Sequence, residues 1–496
     1  MRPTVLASLD LPEAPDEHLN TLSSRLDEAY RIVAELLDDE GGVTVDEDGQ
    51  LRFEALSAEP EPPSLVALRT AVGRMLPQVE LPEVLLEVAT WTGFHHAFTP
   101  LGESASRMKD LELSIAALLV AQACNIGFRP VAKEGVPALN RARLSHLEQT
   151  YLRVETIKRA NQTLLEGQAR IPLVRAWGGG HVASVDGLRF VVPVATIHAR
   201  PNPRYFGRRS GATWLNMLND HAAGLAAKVV AGTPRDSLHV LDVLNDQDGG
   251  VRPQLIVTDT SSYSDIVFGL LSLSGRTYAP QLAQLPDQKL WRVNRDADYG
   301  PLSMAARGRI SISKIIRHWP DILRVVASIH MGTVRSYDVV RMLQRGGRPT
   351  PLGTALAHYG RIHKSLHILR LASDRGYRRQ IKAQANLQEG RHDLARRLFH
   401  GDRGELRQRY REGMEDQLGA LGLVLNIIVL FNTRYMNAAI KKLREDGFPV
   451  DEQDVARLSP LMRKHINIQG RYAFTVPNLG GRLRALQSPD REPDDE

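Results

Sequence analysis

The chain has 496 residues, of which 43% are hydrophobic and 24% charged. This is the composition of a globular protein, and the length predicts about two to four domains. Its single cysteine, Cys124, excludes an internal disulfide and favours a reducing, cytoplasmic setting. The longest apolar runs are short of a membrane span and the first residues turn acidic at once, so neither a membrane segment nor a signal peptide is predicted.

Charge is distributed unevenly along the chain. Residues 1–60 hold 15 Asp and Glu against four Arg and Lys, a net charge of −11. Because the whole chain carries +6, residues 61–496 carry +17. A basic body of this size indicates a polyanionic partner, with nucleic acid as the first candidate.

The basic residues cluster in two segments. Residues 187–219 contain five Arg and no acid, and residues 361–412 contain 14 Arg and Lys against six acids. Four arginines of the first segment lie in HARPNPRYFGRRS, which Pro and Gly predict to be a loop. These are Arg200, Arg204, Arg208 and Arg209. Arginine interleaved with Tyr and Phe suits phosphate and base-face contacts, so we predict a DNA-facing surface rather than a merely basic exterior.

The elements predicted in chain order suggest seven segments. An acidic segment (1–60) contains a helix and a hairpin at Asp48-Gly49, and residues 61–175 show helical periodicity throughout. After WGGG, the next segment (176–288) reads as two hairpin strands in HVASVDGLRFVVPVATI, a helix in TWLNMLNDHA, a strand in AAKVVAG, and then helix, strand and helix. The later segments are a helical insertion (289–375), further helices (376–445), a C-terminal region (446–484) and a polar, disordered tail (485–496). The pattern predicts an α/β fold with a mixed sheet and helices packed on it.

Asp186 interrupts a run that otherwise resembles a core strand. Asp186-Gly187 favours a type I′ hairpin turn, because both residues tolerate positive φ. The alternative is that Asp186 ends a strand and binds a metal ion. Asp259 raises the same question at the end of QLIVTD, where it is either an N-cap for the next helix or a ligand at the sheet edge.

A third candidate carboxylate lies in QANLQEGRHDLARRLFH. On a helix, Glu389, His392, Asp393 and Arg396 fall on one face at i, i+3, i+4 and i+7. A solvated face with an ion pair is the simple interpretation, although a Glu-x-x-His pair can also bind metal.

These segments carry a family resemblance. SVDGLRFVVPV, VTDTSSYSD, NLQEGRHDLARRLFHGDRGELRQRY, EDQLGALGLVLNIIVLFNTRYM and ARLSPLMRKHINIQGRYAF resemble, in order, the catalytic half of the Tn-three family of replicative (class II) transposases. The resemblance runs from about residue 60 to 475 and implies a ribonuclease-H-like DDE core with helices on both faces of its sheet. It assigns catalysis to Asp186, Asp259 and Glu389, with a helical insertion before the glutamate.

The implied chemistry explains why the site needs three carboxylates. Two Mg²⁺ or Mn²⁺ ions would clamp the attacking and leaving oxygens of an in-line phosphodiester displacement, and such cations prefer oxygen ligands. The resemblance further implies transposon-end and target DNA as partners and a homodimer in the active complex. We expect His392 and Arg396 to contact DNA, with simple support of the site as the alternative for His392.

The sequence also departs from the family pattern. Members are about twice this length, Gln281 stands where Arg is usual, and Gln388 replaces a glycine before the catalytic glutamate. Residues 261–262 are Ser-Ser where a glycine is expected at the second position. Two alternatives therefore stay open: a catalytically silent, truncated DNA-binding or regulatory remnant, and a different metal-dependent nuclease on the same fold.

Overall fold

A computed structural model describes nine stretches of the chain, residues 2–37, 43–54, 56–102, 108–232, 236–260, 263–282, 288–344, 348–476 and 478–491. The elements before the central sheet are α1 (Arg2–Ser8), α2 (Asp16–Leu37), β1 (Val43–Val45), β2 (Leu51–Phe53), α3 (Pro63–Met75), β3 (Val79–Glu80), α4 (Leu81–Thr92), α5 (Leu111–Ala123), α6 (Arg141–Thr150), α7 (Val154–Ala169) and α8 (Val174–Trp177). They confirm the helical prediction for residues 61–175. The hairpin at Asp48-Gly49 is also confirmed, since β1 and β2 pair antiparallel and Gly49 has a φ of 71°.

A mixed sheet follows. Its elements and connections are β4 (Val182–Val191), β5 (Arg200–Pro201), α9 (Pro203–Phe206), β6 (Ser210–Asn219), β7 (Gly224–Ala231), α10 (Val240–Asn245), β8 (Leu255–Thr258), α11 (Asp265–Leu273) and β9 (Thr277–Tyr278). The strands lie in the order β7-β6-β4-β8-β9, and β5 pairs with the start of β6. The first three are antiparallel neighbours, and β4, β8 and β9 are parallel. The predicted mixed sheet is therefore confirmed.

Two local predictions within this sheet are wrong. Asp186-Gly187 is no turn, because β4 continues through both residues and pairs them with Asn216 and Leu215 of β6. TWLNMLNDHA is no helix, because most of it forms β6. Strand β6 is buried along almost its whole length, and its sequence mixes apolar residues with Asn216 and Asn219, so it lacks the alternation that identifies a strand.

The remaining elements are mostly helical, as predicted. They are β10 (Trp291–Arg292), β11 (Gly308–Arg309), α12 (Ile312–His330), α13 (Ser336–Leu343), α14 (Pro351–Ser373), α15 (Arg375–Leu398), α16 (Arg411–Glu445), α17 (Glu452–Val455) and β12 (Ile466–Asn467). Strands β10 and β11 pair with each other, and β12 pairs with β3 near the start of the helical region.

Each face of the sheet contributes to a separate hydrophobic core. Leu188 and Trp214 pack with α3–α7, α15 and α16, whereas Val185 and Leu215 pack with α2, α10–α12 and α14. The acidic N-terminal segment joins the second core, where Tyr30 stacks on Tyr299 at 4.3 Å between ring centroids. Helices thus cover both faces of the sheet, and the segment boundaries given above stay predictions.

Helix α16 is the one helix among the described residues that is long and apolar enough to span a membrane by length and composition. However, 78% of its apolar window is buried inside the protein, as in a core helix. At the C terminus, residues 478–491 lack regular structure, and the Gln487 N–H donates to the Met75 carbonyl at 2.9 Å. The rest of the predicted disordered tail, residues 492–496, lies outside the described residues.

Candidate active site

Asp186 and Asp259 are brought together by strand register. Val185 of β4 pairs with Thr258 of β8 in the parallel ladder, so the next residue of each strand is one of the two aspartates. Asp186 is half-buried and Asp259 is exposed. Asp259 does not cap the following helix, since the Ser264 hydroxyl accepts from the Val267 N–H at the start of α11. Both side chains therefore lie at one edge of the parallel strands, where ligands bind in open α/β sheets.

Glu389 comes from α15, which packs across β4 and β8. The helix begins at an N-cap in which the Asp374 carboxylate accepts from the Tyr377 N–H at 2.8 Å. The exposed Glu389 side chain has a carboxylate oxygen within 4.8 Å of ligand atoms of both Asp186 and His392. Asp259 is not a member of this close cluster among the described residues.

A cavity of about 100 Å³ joins the three predicted carboxylates. Asp186, Asp259 and Glu389 all line it, together with Lys382, Asn386 and Gln281. Thus the predicted trio, separated by 73 and 130 residues in sequence, shares one opening on the surface. The Asp259 carboxylate accepts from the Thr260 N–H at 2.5 Å, and the following Ser-Ser pair lies outside the described residues.

A buried polar network supports this cavity from below. Gln388 accepts from the Ser184 hydroxyl at 2.7 Å and donates through Nε2 to Asn216 Oδ1 at 2.8 Å. The same nitrogen lies 2.9 Å from His392 Nε2, and Asn216 Nδ2 lies 3.0 Å from it. These four side chains are almost wholly buried, so α15 is held against β4 and β6 by hydrogen bonds rather than by apolar packing alone.

The network determines the tautomer of His392. Both neighbours of Nε2 are amide nitrogens, which only donate, so Nε2 is the acceptor and Nδ1 carries the proton. Nδ1 lies 3.6 Å from Asp186 Oδ2. Burial, with Arg396 and Arg391 nearby, lowers the pKa of His392 to about 3, so the pair is not an ion pair between charged groups at neutral pH. Instead, a neutral imidazole presents an N–H to the Asp186 carboxylate.

The predicted DNA-contact residues divide between the surface and the interior. Arg200, Arg204, Arg208, Arg209 and Arg396 are exposed. Among them, Arg209 forms a 3.3 Å ion pair with Glu405. His392, in contrast, is 1% exposed beneath the cavity, which argues against DNA contact and for a supporting position.

Sequence reasoning missed several site residues. Lys382 and Asn386 precede Glu389 by seven and three positions, so all three share one face of α15 and line the cavity. That spacing was a usable signal. The positions of Ser184 and Asn216 gave no such signal, because their roles depend on the register between β4, β6 and α15.

Comparisons with known proteins agree with this geometry. The family described as Tn3 transposase DDE domain matches residues 83–472. The chain is 65% identical to the transposase for transposon Tn4556 of Streptomyces fradiae, over 98% of this chain and 54% of that protein. It is 44% identical to the transposase for transposon gamma-delta of Escherichia coli (strain K12), over 97% of this chain and 49% of that protein. The chain thus spans about half the length of these relatives, and it belongs to the Tn3 transposase DDE domain family.

Proposed function

We propose that this chain is the catalytic region of a DNA transposase, which cleaves DNA to give 3′ ends and joins those ends to target DNA. The observation that carries the proposal is that Asp186, Asp259 and Glu389 line one open cavity. Family membership adds support, because the relatives are themselves named transposases. It also disfavours the silent-remnant alternative, as does the buried network that holds the carboxylate-bearing elements together.

The proposed domain fold is ribonuclease-H-like. Three antiparallel strands followed by two parallel ones, in the order β7-β6-β4-β8-β9, support this assignment. So does the position of the first aspartate on the central strand β4 and of the second at the end of the adjacent parallel strand.

The residues of the cavity fit hard divalent cations. Asp186, Asp259 and Glu389 offer carboxylate oxygens, which Mg²⁺ and Mn²⁺ prefer, and the cavity has room for a few water molecules. Two such ions, when bound, would activate the attacking oxygen and stabilise the leaving oxygen. We propose these three residues as the ligands.

The protein groups around the carboxylates have separate roles in this proposal. His392 orients the Asp186 carboxylate by presenting its Nδ1 proton, and the amides of Gln388 and Asn216 hold the ring in that tautomer. Lys382, exposed at the cavity, is placed to attract a DNA phosphate. The exposed arginines Arg200, Arg204, Arg208, Arg209 and Arg396 would extend this contact along the DNA backbone.

We further propose a homodimer as the active complex.

A strand-transfer assay tests the function. The purified chain is incubated with Mg²⁺ or Mn²⁺, a pre-nicked transposon-end duplex and target DNA. We expect joined product, and we expect Asp186→Asn and Glu389→Gln to reduce it to background while leaving DNA binding nearly unchanged.

Asp393→Asn is the matched control, since Asp393 lies on the same helix but pairs with Arg463 at 2.7 Å outside the cavity. This variant should retain product. Cleavage without joining would indicate a nuclease, and DNA binding with neither reaction would indicate a regulatory protein.

A further inference from the structure

Two large apolar side chains are exposed to solvent near the arginine-rich segment HARPNPRYFGRRS (residues 198–210), which we call the arginine loop. Ile197 is 82% exposed and Tyr410 is 74% exposed, which places both among the three most exposed large apolar side chains of the described residues. Exposure to this degree stabilises nothing within the fold. Single exposed apolar side chains are common on protein surfaces, so the question is whether these two lie together and which residues surround them.

The two residues belong to loops that are tied together. The Thr196 hydroxyl donates to the Arg409 carbonyl at 2.6 Å, and these are the direct sequence neighbours of Ile197 and Tyr410. In a second hydrogen bond between the two loops, the Leu406 N–H donates to the Val191 carbonyl at 2.9 Å. Tyr410 is also the N-cap residue of α16, the long core helix, and its side chain makes no capping hydrogen bond. The patch therefore has a rigid support, and the tyrosine ring is not used by the cap.

The charge around this Ile197–Tyr410 patch selects the kind of partner. Residues 187–209 contain five Arg and no acid, and residues 402–411 contain four Arg against two acids. Tyr205 extends the pattern, since the guanidinium carbons of Arg189 and Arg204 lie 3.8 and 5.3 Å from its ring centroid. Apolar and aromatic groups within a field of arginines fit nucleic acid, whose backbone is anionic and whose bases are flat and apolar.

The patch is connected to the strand that carries Asp186. Val191, whose carbonyl accepts from the Leu406 N–H of the Tyr410-bearing loop, is five residues along β4 from Asp186. At about 3.3 Å per residue, Val191 lies roughly 16 Å from Asp186. Ile197 follows Val191 by six residues and Tyr410 follows Leu406 by four, so the patch lies beyond this end of β4 along both chain segments. A duplex that reaches both the cavity and the patch would therefore meet the patch several base pairs from the cavity.

We propose that Ile197 and Tyr410 form a wedge that unstacks DNA several base pairs from the phosphate held at the carboxylates. The arginines would bind the DNA backbone on either side, and the two apolar side chains would insert between neighbouring bases. Apolar side chains insert in this way in proteins that bend DNA from the minor groove. This inference rests on the proposed function, because it takes the cavity as the place where the DNA strand is cut.

The test uses the full chain and pre-nicked duplexes carrying 2-aminopurine at successive positions one to twelve base pairs from the nick. We expect fluorescence to rise on binding at one position or at two neighbouring positions, since the probe brightens when it is unstacked. Tyr410→Ala and Ile197→Ala should remove most of this rise and weaken binding roughly five- to 150-fold, the loss of one base stack. Tyr410→Phe should keep both.

Val66→Ala is the matched control, because Val66 is 45% exposed on α3, outside the arginine-rich loops. Probe fluorescence that stays low at every position in the bound complex would overturn the wedge. So would an undiminished rise in the Ile197→Ala/Tyr410→Ala double variant, which would assign the patch to a protein partner. Strand transfer, measured separately, reports on the carboxylates, so a chain that unstacks DNA without joining it would contradict only the proposed function.

Discussion

The Ser184 hydroxyl donates to Gln388 Oε1 at 2.7 Å across the buried interface between β4 and α15. Ser184 precedes Asp186 by two residues, and Gln388 immediately precedes Glu389. One hydrogen bond thus connects the two elements that carry the clustered carboxylates. The two carboxylate-bearing elements are thus positioned by residues other than the carboxylates themselves.

Replacing Gln388 by glycine should destabilise the protein. The change removes one hydrogen-bond partner each from Ser184 and Asn216, both buried, and an unsatisfied buried polar group costs about 1–3 kcal/mol. Urea denaturation should show a free energy of unfolding lower by about 3 kcal/mol. Gln380→Gly, at an exposed position of the same helix, should lose only about 1 kcal/mol from helix propensity. Equal losses in the two variants would mean that the buried network contributes nothing.

The close crossing of α11 and α14 predicts a second effect. A Cβ atom added at Gly360 would lie 1.7 Å from the Asp265 carbonyl oxygen, a backbone atom of α11. Gly360→Ala must therefore push the two helices apart, and we expect a loss of about 1–3 kcal/mol in the free energy of unfolding. Gly73→Ala is the control, because nothing lies within 4 Å of its Cβ position in α3. That variant should be stabilised by about 0.5–1 kcal/mol. If the free energy of unfolding changed in the same direction in Gly360→Ala and Gly73→Ala, the packing argument would be contradicted.

The sequence indicated which carboxylates meet at the cavity better than it indicated their local structure. Asp186, Asp259 and Glu389 could be named because carboxylates interrupting buried strands, together with the family motifs, point to metal-dependent chemistry. The turn at Asp186-Gly187 was wrong because local turn propensity is overridden when β6 pairs with both residues and β4 continues through them. The burial of His392 could not be predicted either, since helical spacing gives a face but not which part of that face meets the sheet.

The arginine loop predicts that the affinity for DNA depends on salt concentration. Each phosphate contact releases counterions, so log K falls with log salt at a slope of about −0.9 per contact. Replacing the exposed Arg200, Arg204 and Arg208 by alanine should make the slope shallower by roughly 3 in a salt titration by fluorescence anisotropy. Arg324→Ala, at an exposed arginine of α12 paired with Asp321 at 2.8 Å, should leave the slope unchanged. A triple variant with the parental slope would place the DNA elsewhere.

His465 should make stability depend on pH. It is 4% exposed and lies 2.9 Å from Asn432 Oδ1, so its Nε2 donates that hydrogen bond. Burial lowers the pKa of His465 to about 4, whereas the unfolded chain takes up this proton below about 6.5. The unfolded state therefore binds more protons between these values, and the stability present above pH 6.5 is lost by about 1.4 kcal/mol per pH unit as the pH falls toward 4.

Comparison with His465→Gln isolates this effect, because the other titrating groups are common to both proteins. The difference in free energy of unfolding between the parental protein and the variant, measured by urea denaturation, should be about 1.4 kcal/mol smaller at pH 5.5 than at pH 7. His146→Gln, which removes an exposed histidine from α6, is the matched control. A difference between parent and His465→Gln that stays constant from pH 7 to 5.5 would mean that His465 takes up its proton over the same pH range in the folded and the unfolded protein, which would contradict the effect of burial.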